Sequence, residues 1–325
     1  MAAKKWGWWT RHKLQILEDY LSSFAIASKN VDERIYLDLF AGWPENAARE
    51  TDEYILGSAR RALSVDPPFT RICLFELDEK ARRLERAVRS VYPDRAGIKV
   101  YDRDCNVTVS MALKELRPVA WAPTFAFVDQ FDSEVKWSTL EQIARFRQAK
   151  TKAEMWILFA TGMYPRGLNI HGRDMNAQYG DTLSEMLGSE EWVPIAQARR
   201  DGRLNPAQAR EEWVNLVRWR LERVLGYRKS YGFTMKNTGG QDIYDMIFVT
   251  DHDAGDRIMR HLYGKAMSEH QAMRQHALAL RRDKRAKDQG KAGLFDIAPD
   301  MVTAGGTDDK QVYDPEPPRP PYGSR

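Results

Sequence analysis

Only two of the 325 residues are cysteine, Cys73 and Cys105. That excludes a disulfide-stapled scaffold and favours a reducing compartment, so a cytoplasmic location is expected. No stretch approaches the run of about 18 apolar residues that a membrane-spanning helix needs, so no membrane partner is expected. The opening residues, MAAKKWGWWTRHK, lack the apolar core of a secretion leader. No GxxxxGK[ST] segment occurs, which disfavours a phosphate-cradling nucleotide hydrolase. A net excess of either sign is missing too, with 50 basic against 46 acidic residues. The net charge of +4 is too small to mark a nucleic-acid binder.

What charge excess there is lies near one end. Residues 281–291, RRDKRAKDQGK, hold six basic and two acidic side chains, a local excess equal to that of the whole chain. Such a run can meet phosphate, but a solvated helix end explains it as well.

With 43% hydrophobic and 30% charged residues, the rest has the composition of an ordinary globular protein. Leu14, Leu17, Leu21 and Phe24, three and four apart, predict a helix over 10–28, with Thr10 as its cap. Apolar strand patterns follow at 34–40, 71–77, 98–102, 124–129 and 154–161. Helical stretches separate them near 56–65, 78–91, 106–116 and 137–149. Cys73 falls inside the second strand and reads as core packing. The pattern breaks at Gly162; no strand is convincing until Gly226, while helices are predicted near 181–187, 190–200 and 206–225. Strands at 228–235 and 243–250 flank KNTGGQD, a hairpin-type turn. A helix from about 254 runs towards 288.

Strands alternating with helices argue for a parallel sheet covered on both faces. Five such strands and a closing hairpin predict a doubly wound, seven-stranded, mostly parallel α/β sheet. That is the Rossmann-like architecture of class I methyltransferases, here with a helical insertion after the fifth strand. The expected segments are an N-terminal helix (1–30), a core (31–161 and 227–270), an insertion (162–226) and a basic helix end (271–292). A Pro/Gly-rich tail (293–325) is expected to be extended or flexible. Within it GLFDIAPDM (293–301) is a small apolar island, either a docking peptide or a patch folded back.

Ligands of open α/β sheets bind beyond the carboxyl ends of the strands. After the first strand come Asp38, Phe40, Ala41 and Gly42, where a glycine lets backbone approach a ligand, although a plain tight turn would read the same. The second strand ends FELDEK. Glu76, followed by Leu77, is placed to accept from two ribose hydroxyls, with Asp78 better suited to cap the next helix. After the third strand, Asp104 could accept from an adenine amino group beside Cys105, or start the following helix. The fourth strand ends FVDQFD. Asp129 and Gln130 offer acceptors and Phe131 a ring, the kit with which an amino methyltransferase positions its target, though a helix-capping loop is the bland alternative.

WTRHKLQILEDYL, IYLDLFAG, ILGSARRAL, FELDEK, RDCN, FVDQF, WSTLEQIA and YDMIFVTDHDAGDRIM occur in this order over residues 8–268. In this ordered set the chain resembles the three-Cys-motif partner protein family, TcmP. The resemblance implies a class I methyltransferase-like fold, S-adenosylmethionine as cofactor, and a three-cysteine partner resembling radical-adenosylmethionine enzymes. The three cysteines belong to that partner. Two loops depart from the family pattern. Phe40-Ala41-Gly42-Trp43-Pro44 replaces FAGPG, and Asp129-Gln130-Phe131-Asp132 replaces Asp-Pro-Phe-Gly. Trp43 could stack on a base, cover the cofactor or plug the pocket.

Three further groups of residues stand out. His252 and His261 lie near aspartates, but Asp253 capping a helix from Ala254 is the simpler reading, and no metal site is expected. Trp6, Trp8 and Trp9 interleave with Lys4, Lys5, Arg11 and Lys13, a pattern that suits single-stranded nucleic acid or mere packing of the first helix. Tyr164, Arg166 and Asn169 leave the fifth strand as candidates for substrate contact. Two functions compete: a methyltransferase acting on nucleic acid or on a partner-delivered substrate, and a non-catalytic subunit that keeps the fold for interaction or nucleic-acid binding.

Overall fold

The computed structural model describes residues 5–42, 45–48, 54–237, 239–288 and 313–324. Seven strands form the central sheet: β1 (Ile35–Asp38), β2 (Arg71–Phe75), β3 (Ile98–Tyr101), β4 (Thr124–Val128), β5 (Glu154–Phe159), β6 (Lys229–Lys236) and β7 (Asp242–Thr250). Their order is β3-β2-β1-β4-β5-β7-β6. The first five run parallel, while β7 is antiparallel to both β5 and β6. The chain is thus a Rossmann-like α/β protein with the mixed seven-stranded sheet of class I methyltransferases. Strands β1, β4 and β5 are buried along their length, which is why their sequences are continuously apolar rather than alternating.

Helix α1 (Trp8–Ala27) buries Leu14, Leu17, Tyr20, Leu21 and Phe24 against the sheet. The Tyr20 hydroxyl donates to the Glu154 carboxylate at 2.7 Å, and its ring packs on Phe125 and Phe248. Thr10 does not cap this helix. Gly7 is the N-cap, and Thr10 is buried within the first turn. Helices α2 (Ser58–Leu63), α3 (Asp78–Val91), α4 (Cys105–Glu115) and α5 (Trp137–Ala144) connect the parallel strands. In α3 only Ala81, Leu84 and Val88 are buried, so its charged remainder is a solvated face. A small second sheet joins Lys5–Trp6, Glu45–Ala48 and Tyr54–Leu56.

The insertion carries α6 (Tyr164–Gly167), α7 (Ala177–Leu187), α8 (Val193–Arg200) and α9 (Pro206–Arg223) and, among its described residues, no strand. Gly188 ends α7 at φ +63°, and a Cβ there would lie 2.5 Å from the Trp137 ring. Arg220 of α9 secures this corner, donating to the Leu187 and Gly188 carbonyls at 2.7 and 2.9 Å. Tyr164 is fully buried against Trp213. It is therefore a core residue, not a substrate contact.

Helix α10 (Asp253–Asp288) follows β7 and packs along α1. Its cap is His252 rather than Asp253, for the Nδ1 of His252 accepts from the Ala254 N–H at 3.0 Å. The basic run therefore begins on this helix, and residues 289–291 lie outside the described residues, as does the apolar island 293–301. Of the Pro/Gly-rich tail, residues 313–324 are extended, as one of the two expectations has it, and they lie against α9, β6 and α10. No helix among the described residues is long and apolar enough to cross a membrane.

Candidate active site

Chain order reverses between β1 and β4, and a cavity of about 720 Å³ opens beyond the strand ends there. Such a volume lies within the 300–1,000 Å³ or so that small-molecule sites occupy. Its wall takes Leu39–Gly42 from the end of β1, Glu76 and Leu77 from β2, Arg103–Cys105 from β3, and Asp129 and Phe131 from β4.

The first turn is fixed by backbone. The Ala41 N–H donates to the Phe75 carbonyl at 3.0 Å, and Gly42 adopts φ +57°. Among the described residues a Cβ on Gly42 would meet only the Phe40 carbonyl oxygen, at an ordinary 3.8 Å, so the positive φ, not crowding, is what favours glycine. The Gly42 N–H donates to Glu76 Oε2 and the Leu77 N–H to Oε1, both at 2.9 Å. The Glu76 carboxylate is thereby held at the wall, half-buried, with further lone pairs to offer. Asp78 is not the side-chain cap expected of it. Leu77 occupies the cap position of α3, and Asp78 begins the helix at φ +45°, a conformation aspartate tolerates better than most residues.

Asp104 caps α4, accepting from the Asn106 N–H at 2.8 Å, and still lines the cavity. Cys105 beside it is buried, and burial pushes its thiol up to about 12. It is a neutral, apolar part of the wall. Asp38 is fully buried and lies outside the lining. It accepts from the Tyr36 hydroxyl at 3.0 Å, and burial raises its carboxyl to about 7 despite the lowering by Ser58 and Tyr36. Its place is beneath the Leu39–Gly42 turn rather than at the cavity wall.

The β4 loop divides its residues by role. Gln130, 1% exposed, uses its whole amide on protein: Nε2 donates to the Leu158 carbonyl at 2.9 Å, and Oε1 accepts from the Glu134 and Val135 N–H groups at 2.8 Å each. Gln130 therefore holds the loop together and is not the substrate acceptor that the sequence suggests. Gln130→Met, similar in shape, is expected to destabilise the protein by about 2–3 kcal/mol, since three backbone groups, two of them buried, lose their partner. A urea midpoint equal to that of the unaltered protein would show that the loop is held otherwise. Phe131 stands at the mouth, 72% exposed, with its N–H donating to the Glu134 carboxylate at 2.8 Å. Arg166 and Asn169 are exposed and do not line the cavity. Trp43 and Pro44 lie outside the described residues.

The site also contains a residue that strand-end reasoning passed over. Lys13 of α1, 5% exposed, bonds both carboxylate oxygens of Asp129, with Nζ 2.5 Å from Oδ2. The same Nζ sits 5.5 Å from the centre of the Tyr244 ring, whose buried hydroxyl has no partner among the described residues. A signal existed. Lys13, Leu17, Tyr20 and Phe24 are spaced as one buried helical face, so a lysine there must be buried and needs a carboxylate. Trp8, on this first turn, is buried, which makes it a packing residue.

No family model matches the chain, and no curated protein does. Among solved structures it is similar to a candidate caffeoyl-CoA O-methyltransferase from Staphylococcus aureus, at 10% identity and TM-score 0.37 over 73% of this chain and 82% of that one. A candidate O-methyltransferase from Klebsiella pneumoniae gives 11% and 0.36 over 72% and 80%. TYW2 from M. jannaschii, in complex with AdoMet, gives 9% and 0.31 over 72% and 75%. At such values these likenesses add nothing to what the strand order already establishes.

Proposed function

We propose that this cavity binds S-adenosylmethionine and that the chain is a methyltransferase of the three-Cys-motif partner kind. The reading is carried by one observation: Glu76, Asp104 and Asp129, from the ends of β2, β3 and β4, line a single cavity beside the Gly42 turn. The donor set fits the cofactor. Glu76 would accept from the ribose hydroxyls, Asp104 from the adenine amino group, and Phe40, Leu77 and Cys105 would flank the base. The bound cofactor supplies a methyl group already activated on a sulfonium, so the chain's own task is positioning. Asp129 and Phe131 would hold the acceptor, Phe131 by stacking on a flat group.

Nucleic acid is the proposed acceptor class. An exposed ring with Lys80 and Arg103 on the same wall suits a splayed base and its phosphates. The three-cysteine partner and the cytoplasmic location belong to the same proposal and rest on the resemblance and on cysteine usage.

The Lys13–Asp129 pair favours a second reading. A carboxylate whose charge is met at close range by a buried lysine is a weaker acceptor for an amine, which suits a degenerate subunit retained for interaction. Calorimetry with S-adenosylmethionine separates the two. The first reading expects micromolar binding, weakened at least tenfold in Glu76→Ala, followed by labelled methyl transfer to nucleic acid when the partner is added. No heat from the unaltered protein would leave the second.

A further inference from the structure

Residues 313–324, YDPEPPRPPYGS, have neither helix nor strand hydrogen bonding, yet they lie against the folded body. Their burial has a period of three. Pro315 is half-buried and Pro318 and Pro321 are buried, while Pro317 and Pro320 face solvent. Three residues per turn is the repeat of a polyproline II helix, which places every third side chain on one face.

Backbone contacts share the period. Arg260 of α10 donates to the Tyr313 carbonyl at 2.9 Å, and Arg218 of α9 to the Glu316 carbonyl at 2.9 Å. Asn215 of α9 then reads Arg319 twice, its Nδ2 donating to the carbonyl and its Oδ1 accepting from the N–H, each at 2.9 Å. A side-chain amide matched to both groups of one residue is a device for gripping extended backbone, because it satisfies what a strand would otherwise supply. Tyr313 anchors one end, packing on Tyr263 of α10 and donating to the Gly232 carbonyl of β6. Charge sets the direction. Asp314 pairs with Arg260 at 3.0 Å, whereas Arg319 pairs with Glu212 and, at 3.5 Å, with Glu211.

We propose that α9, β6 and the first turns of α10 form a recognition groove for an extended proline-rich peptide bearing an arginine, with the chain's own residues 313–324 as its ligand. The fit belongs to the peptide's sequence rather than to its attachment through residues 289–312. Proline fixes φ in advance, so little freedom is lost on docking, and the same segment supplied separately fills the same groove.

The full chain tests this once a specific protease site is inserted within 289–312 and cut after folding. Residues 313–325 should co-elute with the body on gel filtration at micromolar concentration. A labelled synthetic copy should exchange into the groove, one per protein. A copy carrying Arg319→Glu should bind at least tenfold more weakly, and this variant leaves the protein itself unaltered. Asn215→Leu in the protein should weaken the unaltered peptide to a similar degree. The proposal is overturned if the cut segment elutes alone, or if the Arg319→Glu copy binds as well as the unaltered one.

Discussion

Replacing Lys13 by methionine is expected to destabilise the fold by about 2–3 kcal/mol near neutral pH, and removing Asp129 as well is expected to restore most of that loss. The reason is asymmetry. Lys13 is almost wholly buried, with its side chain 7% exposed, so its charge is tolerated only because both Asp129 oxygens meet it. Deleting the lysine leaves a carboxylate facing an apolar helix stripe without its counter-charge. The Asp129 side chain is 24% exposed, and water at the cavity offsets part of the damage. That is why the expectation falls below the roughly 3–5 kcal/mol for a fully buried pair. Urea unfolding of the unaltered protein, Lys13→Met, Asp129→Asn and the double variant closes the cycle. A coupling near zero would mean that the two charges do not depend on each other. The same four proteins also bear on function, for if Asp129 must be released to hold an acceptor, Lys13 controls that release.

The second large effect is on pH. Burial raises Asp38 from 3.8 to about 7, and burial likewise raises Glu154 from 4.5 to about 7. Between the ordinary and the raised value, the folded state keeps a proton that the unfolded chain has already released. Stability therefore falls as pH rises from about 4 to 7, by up to ~1.4 kcal/mol per pH unit for each group, and levels off above that window. Below it neither group carries a penalty. Asp38→Asn and Glu154→Gln should each flatten the profile while keeping much of the hydrogen bonding, which includes the Tyr36 hydroxyl for Asp38 and the Tyr20 and Thr250 hydroxyls for Glu154. The measurement is the difference in unfolding midpoint between each variant and the unaltered protein across pH 4–8. A difference that stays constant over the window would refute the assignment.

Most of the architecture was legible in the sequence because it rests on strong periodicities. Runs as short and apolar as TFAFV and EMWILF, set between helical stretches, suit strands buried on both faces, and the Gly-rich turn between β6 and β7 marks the hairpin. The small sheet was not legible. KW, ENAA and YIL are too short to carry a period, and pairing alone defines them. Within the site, strand-end logic brought Glu76, Asp104, Asp129 and Gly42 to one cavity, since strand order decides that proximity. It could not separate Asp129 from Gln130. Adjacent residues leave a strand in opposite directions, and which faces the cavity depends on a loop whose carbonyl partner, Leu158, is supplied by a different strand. Lys13 was missed for a related reason, because its carboxylate is 116 residues away in sequence.

That separation has a consequence for the order of events during synthesis. Helix α1 leaves the ribosome early with a lysine that has no counter-charge, while Asp129, the Tyr244 ring and α10 emerge later. Contacts so distant in sequence form slowly and late. The nascent helix must therefore wait, with part of its apolar stripe uncovered, until β7 and α10 arrive. Ligand capture by a partly made chain is not expected, and the interval before closure is when a chaperone would have most to do.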